Sequence, residues 1–98
     1  MADIIAMTPQ EMYSQATSFG TDSGTITEII KKLDDQIVTL QNSWRGAAAT
    51  QFAQRWSSDL KPSLEQASRL MTDIQSALTE TARIMEQTDA DIAKQFQS

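Results

Sequence analysis

The residues of this chain whose clustering could suggest acid/base chemistry are its carboxylates. Its 98 residues include no His and no Cys, so the usual general base near neutral pH, the commonest metal ligand and every thiolate site are missing. The close acid clusters are Asp34-Asp35 and Asp89/Asp91. A working acid/base pair must aim both carboxyls at one reacting group. Adjacent residues on a helix point in different directions, so Asp34-Asp35 reads as part of a solvated face. The sequence shows no Gly-rich phosphate loop and no Ser in a nucleophile-elbow pattern. It is read as non-enzymatic, with no catalytic residue, no metal and no cofactor.

Residues that could act by binding are better placed. Trp44-Arg45-Gly46 stands at the chain's midpoint, where helical patterning is interrupted longest. Trp44 supplies a large apolar body with one N–H that seeks an acceptor. Gly46 can adopt backbone conformations closed to other residues and can admit another backbone at close range. Such a Trp either plugs the end of a helix bundle or is displayed at a turn for docking. A second pattern lies near the C-terminus: Met85, Asp89, Ile92 and Phe96 follow a four-three-four spacing that aligns them along one side of a helix. They are either a frayed amphipathic end with a solvated acid or, beside an exposed Trp, half of a helix-in-groove docking surface.

The elements that must position these residues are two long amphipathic helices in one domain covering residues 1–98. Helix 1 is predicted over about 8–42 and the turn over 43–46. Helix 2 is predicted over about 47–95, with a tail at 85–98. Thr8 is the candidate N-cap, Pro9 the first helical residue and Glu11 the capping-box partner. The helix 1 stripe runs Met12, Ala16, Phe19, Ser23, Ile26, Ile30, Leu33, Ile37, Leu40, Trp44 with the 3.5-residue period of a coiled-coil seam. Residues 20–24 carry two glycines, but the stripe keeps its phase across them. That favours a strained patch within one helix over a loop.

The helix 2 stripe runs Phe52, Trp56, Leu60, Leu64, Ala67, Met71, Ile74, Leu78, Thr81, Met85. Pro62 removes one helical hydrogen bond and is expected to kink the helix near Ser58 or Asp59. Folding the chain at Gly46 pairs Leu40 with Phe52, Ile37 with Trp56, Leu33 with Leu60, Phe19 with Ile74 and Met12 with Thr81. Residues beyond Glu86 then overhang. At 1.5 Å per residue the helices span roughly 50 and 70 Å. Two such helices cannot cover both sides of their apolar surfaces, so the hairpin is expected to dimerise into an antiparallel four-helix bundle. That arrangement brings one chain's overhang near the other's Trp44 turn.

The net charge is −5, with Lys and Arg scattered singly apart from Lys31-Lys32. No basic patch is available for nucleic acid or for docking to anionic membranes. The N-terminal run, Met1-Ala2-Asp3-Ile4-Ile5-Ala6-Met7, carries an acid and no Lys or Arg, unlike a Sec-type signal peptide. No segment has the apolar length to span a bilayer.

With Trp-X-Gly at the hairpin tip, the Thr8-Pro9 start, Pro62 within helix 2 and the tail spacing, the whole chain resembles the WXG family. These are the Esx, or ESAT-like, proteins of bacterial type VII (ESX/Ess) secretion systems. The neighbourhoods Ser18-Phe19-Gly20 and Leu60-Lys61-Pro62 resemble its Gram-positive branch, whose members are typically homodimers; others pair with a WXG sibling. The resemblance implies synthesis in the bacterial cytoplasm and secretion without a cleaved signal peptide. It also implies a role as a virulence-associated effector or co-secreted binding partner. It further implies a two-part export signal, the Trp44/Gly46 turn of one protomer with Met85, Asp89, Ile92 and Phe96 of the other, read by an FtsK/SpoIIIE-type ATPase. Many members carry Tyr where this chain has Met85, so a step that needs a tyrosine hydroxyl is not implied. Some members perturb host membranes. The acidic-mixed polar faces here are the wrong signature for an interfacial helix, so membrane contact is expected only if an acidified dimer opens. An intracellular coiled-coil adaptor would share the dimer but leave the turn and tail without a special role.

Overall fold

Thr8 starts the first helix. Its side-chain oxygen accepts the backbone N–H of Glu11 at 3.1 Å, and its hydroxyl donates to the Glu11 carboxylate at 3.2 Å. One of the N–H groups that every helix leaves unpaired at its start is thereby satisfied, and Pro9, which has no N–H, follows. The computed structural model describes residues 6–44 and 46–97. Most of the N-terminal run considered above, Arg45 of the central tripeptide and Ser98 of the tail lie outside them. The first helix, α1 (Pro9–Ser43), passes through residues 20–24 without a break. It ends where Trp44 turns extended (φ −111°, ψ 104°) while its N–H still donates to the Leu40 carbonyl at 2.7 Å.

Helix 2 is a composite. A short α2 (Ala47–Arg55) runs into a π turn at Trp56–Leu60, and α3 (Lys61–Gln97) continues from it. Pro62 explains the irregularity: it has no N–H to offer the preceding turn, and the ladder widens just upstream so that the Lys61 N–H reaches back five residues to the Trp56 carbonyl. The distortion spans the expected 58–59 and starts two residues earlier.

α1 and α3 pack antiparallel as a hairpin, an all-α fold measuring 77 × 27 × 15 Å. Contact between them uses stripe members, with Met12 and Ala16 buried, together with a polar track beside the stripe. Tyr13 lies beside the Glu86 carboxylate, Gly20 lies against the Gln75 side chain, Thr27 and Ser68 share a hydrogen bond at 3.2 Å, and Lys61 pairs with Asp34 at 2.9 Å. The four α1 members are spaced seven apart. Ser23, the polar member of the helix 1 stripe, belongs to the same layer. Its hydroxyl meets the Ser68 carbonyl at 3.0 Å, and the hydroxyls of Ser68 and Thr72 at 2.9 Å each. The buried residues are mostly small: Ala16, Ala49, Ala53 and Ala82, with Met12 and Trp56. Small side chains favour close packing there, and apart from Met12 and Trp56 the large apolar ones stay partly exposed.

Several residues read as core are therefore only partly covered by their own chain. Phe19, Ile26, Ile30, Leu33, Ile37, Leu64, Met71, Ile74 and Leu78 are half-buried, whereas Leu40, Phe52 and Leu60 are 45%, 54% and 51% exposed. Periodicity identifies the stripe but not how much of it faces the neighbouring helix; polar residues on its edge share the contact. Among the described residues no helix is long and apolar enough to cross a membrane.

Candidate functional site

The hairpin tip is built from the end of α1, the turn and α2. Gly46 adopts φ +143° and ψ 172°, the one positive φ among the described residues. An added Cβ would meet nothing within 4 Å, so backbone conformation, and not close approach by another part of this chain, is what calls for glycine here. The Gly46 carbonyl opens α2 by accepting both the N–H and the hydroxyl of Thr50 at 3.3 Å. Trp44 is 43% exposed, and its ring rests on Phe52 with centroids 5.9 Å apart and planes tilted by 36°. It is neither a buried plug nor a free side chain. A polar notch of about 370 Å³ lies beside it, lined by Gln41, Asn42, Gly46, Ala49 and Thr50.

An apolar groove of about 570 Å³ begins next to the tip. Leu33, Ile37 and Leu40 from α1 face Phe52, Trp56 and Leu60 across it, with Arg55, Asp59 and Ser63 at its rim. The pairing expected from folding at Gly46 thus brings these six residues to one place, as the walls of an open groove. A second, broader cleft of about 830 Å³ runs from Glu28 to Leu40 past Lys31, Lys32 and Asp35. Every residue lining it belongs to α1, so no second element holds its charged groups in a reacting geometry. Among the described residues no group of three or more His, Cys, Asp or Glu could hold a metal ion.

Asp34 departs from the solvated-face reading. Trp56 is buried and donates its indole Nε1–H to Asp34 Oδ1 at 2.7 Å, while Lys61 Nζ lies 2.9 Å from Oδ2. These two donors, Lys61 first and Trp56 second, hold the Asp34 carboxyl below its ordinary pKa, and Asp34 in turn raises that of Lys61. Sequence reasoning missed this contact although the signal was present. A buried indole N–H needs an acceptor, and the register that sets Ile37 against Trp56 and Leu33 against Leu60 leaves Asp34 between them.

The tail occupies the far end of the rod. Met85 is half-buried; Asp89, Ile92 and Phe96 are exposed, Phe96 at 86%. The last cross-hairpin contact described is that of Tyr13 with Glu86, which raises the Tyr13 phenol pKa. Beyond it α3 continues to Gln97, past the start of α1, with Gln87 bonded to Asp91 at 3.1 Å along its side. Within one chain, therefore, Trp44 and Gly46 are not brought together with Met85, Asp89, Ile92 and Phe96. The hairpin holds the two groups at opposite ends.

Comparison with known proteins gives this geometry a context. The profile of WXG100, "Proteins of 100 residues with WXG", matches residues 4–90. Protein YukE of Bacillus subtilis is 35% identical over 96 residues, covering 98% of each chain. Type VII secretion system extracellular protein A of Staphylococcus aureus is 26% identical over 93 residues, covering 95% of each. The crystal structure of Geobacillus thermodenitrificans EsxA superposes with a TM-score of 0.83 at 36% identity, over 92% of this chain and 97% of that one.

Proposed function

The chain belongs to the WXG100 family, and on that premise we propose that it is exported by a type VII secretion system as a folded homodimer that acts by binding and not by catalysis. Membership of a family whose relatives are named as type VII secretion extracellular proteins supports export. The open apolar groove supports association. Leu40, Phe52 and Leu60 are each about half exposed, and covering them with a second copy gives them the environment their apolar surface favours.

The observation that carries the export signal is the separation of its two halves. Trp44 and Gly46 sit at one end of a 77 Å rod and the tail at the other. A recognition surface combining them needs two antiparallel chains, one supplying the turn and its partner the tail. In that surface Trp44, backed by Phe52, is the aromatic anchor, and Gly46 fixes the turn that displays it. Met85, Ile92 and Phe96 form an apolar ridge, with Asp89 the charge beside it. An FtsK/SpoIIIE-type ATPase of the secretion apparatus is the reader.

The test is made in the native host. Medium and cell fractions are assayed for wild type, Trp44→Ala and Asp89→Ala, with the dimer mass of each measured. The expected result is wild type in the medium and both variants retained in the cell as intact dimers. Variants exported as well as wild type sink the signal, and wild type that never leaves the cell sinks the export reading in favour of an intracellular coiled-coil adaptor.

A further inference from the structure

One carboxylate holds both ends of the π turn. Asp34 takes the Trp56 indole N–H on Oδ1 at 2.7 Å and the Lys61 ammonium on Oδ2 at 2.9 Å. Trp56 is the first residue of the turn, and Lys61 is the residue that follows it. A π turn holds an extra residue in a widened ring, and Pro62 withdraws one more ladder bond just beyond it. This is the weakest point of helix 2 against rotation and bending. On the tip side of it, the buried residues of α2 are the small Ala49 and Ala53.

From the clamp a line of contacts leads to the turn. Trp56 and Phe52 lie four residues apart and line the same groove, and the Phe52 ring supports that of Trp44 at 5.9 Å. The azimuth of Trp56 about the helix axis fixes that of Phe52, since α2 enters the π turn without a break. The position of Phe52 in turn decides where the Trp44 ring can rest.

The geometry points to Asp34 as the positioning residue of the Trp44 turn: its carboxylate fastens the two ends of the π turn to α1 and so sets where α2 holds Phe52, the ring on which Trp44 rests at the end of α1. Its bearing on recognition rests on the export reading above, whereas the clamp itself is a property of the hairpin. Asp34 touches no partner in this scheme and acts through Trp56 and Lys61.

Amide and indole hydrogen exchange, followed by NMR on the full chain, tests the clamp in wild type, Asp34→Ala, Asp34→Asn and Lys61→Met. In Asp34→Ala the amides of residues 47–55 are expected to lose roughly tenfold protection relative to those of residues 64–85. The Trp56 indole N–H, assigned with Trp44→Phe, loses its protection with them. Asp34→Asn keeps an acceptor for the indole but loses the ion pair, and is expected to fall between wild type and Asp34→Ala, as is Lys61→Met. If Asp34→Ala does not fold, these two variants carry the comparison. Equal loss of protection along both helices overturns the proposal, because Asp34 would then be a general stability residue; unchanged protection over 47–55 also overturns it. In the export assay, Asp34→Ala is expected to reach the medium less than wild type. A loosened α2 with wild-type export removes the positioning role. Absence of wild type from the medium defeats the export reading separately, since the exchange result does not depend on it.

Discussion

Replacing Gly46 by alanine is expected to destabilise the protein through its backbone alone. At φ +143° and ψ 172° the residue occupies a region used almost entirely by glycine, and holding an L-residue there costs about 1–3 kcal/mol. No clash adds to this, because a Cβ at Gly46 meets no atom within 4 Å. Alanine has less conformational freedom to lose on folding, which returns about 0.4–1 kcal/mol. The balance is a loss of roughly 0.5–2 kcal/mol for Gly46→Ala, and each kcal/mol lowers Tm by about 4–8 °C in a chain of this size. The mirror-image residue separates strain from every other cause. These dihedral angles are the reflection of ordinary extended backbone, so Gly46→D-Ala carries no strain and keeps the entropic gain. It is expected to be more stable than wild type by about 0.4–1 kcal/mol. The D-residue is introduced by ligating two synthetic segments at the Gly46–Ala47 bond through a temporary cysteine that is then desulfurised to alanine. A sequence without Cys makes that step selective. Urea unfolding is followed by circular dichroism at one fixed protein concentration, since association would couple to stability. Equal stabilities for the L- and D-alanine proteins would refute the assignment of Gly46 to backbone conformation.

Gly24 faces open space within α1, and Gly24→Ala is expected to stabilise the protein by about 0.5–1 kcal/mol in urea unfolding. Gly20→Ala is expected to gain less in the same measurement. Its Cβ would sit 2.6 Å from Gln75 Nε2, so that flexible side chain must move aside. On the acid side, Asp34 has a lowered folded-state pKa, so its contribution is present above the ordinary Asp range and is lost as pH falls through the folded value. Asp34→Asn is expected to flatten the acid limb of a stability–pH profile measured by urea unfolding. Tyr13 and Lys61 have raised values. Their contributions hold below their ordinary pKa values and disappear as pH rises through the folded ones, so Tyr13→Phe is expected to flatten the alkaline limb. Phe52→Lys with Leu60→Lys puts two charges into the open groove; sedimentation is expected to give a monomer whose helicity is retained. A doubly substituted protein that still dimerises would move the association surface elsewhere.

Much of this architecture is legible in the sequence because helical structure depends on local spacing. The Thr8 cap, the continuity of α1 through residues 20–24 and the antiparallel alignment about Gly46 follow from residues a few positions apart and from one sustained period. The placement of Trp44 and Gly46 at the tip, with Met85 at the last cross-hairpin contact and Asp89, Ile92 and Phe96 beyond it, follows from counting residues along two rods. Which side of each helix faces the other does not follow from counting. Coiled-coil periodicity marks a stripe, but a helix can rotate by one position and still bury part of it. The Tyr13, Gly20, Thr27 and Asp34 track, facing Glu86, Gln75, Ser68 and Lys61, shares the interface with Met12, Ala16 and Ser23 of the stripe. Hydroxyls there can satisfy one another and small residues permit close approach, and the large apolar groups were left lining a groove. Asp34 is the sharpest case. Alone it is one of two adjacent acids on a helix, and only the tertiary fold, by bringing a buried indole N–H and a lysine to its two oxygens, makes it the fastening point of the π turn.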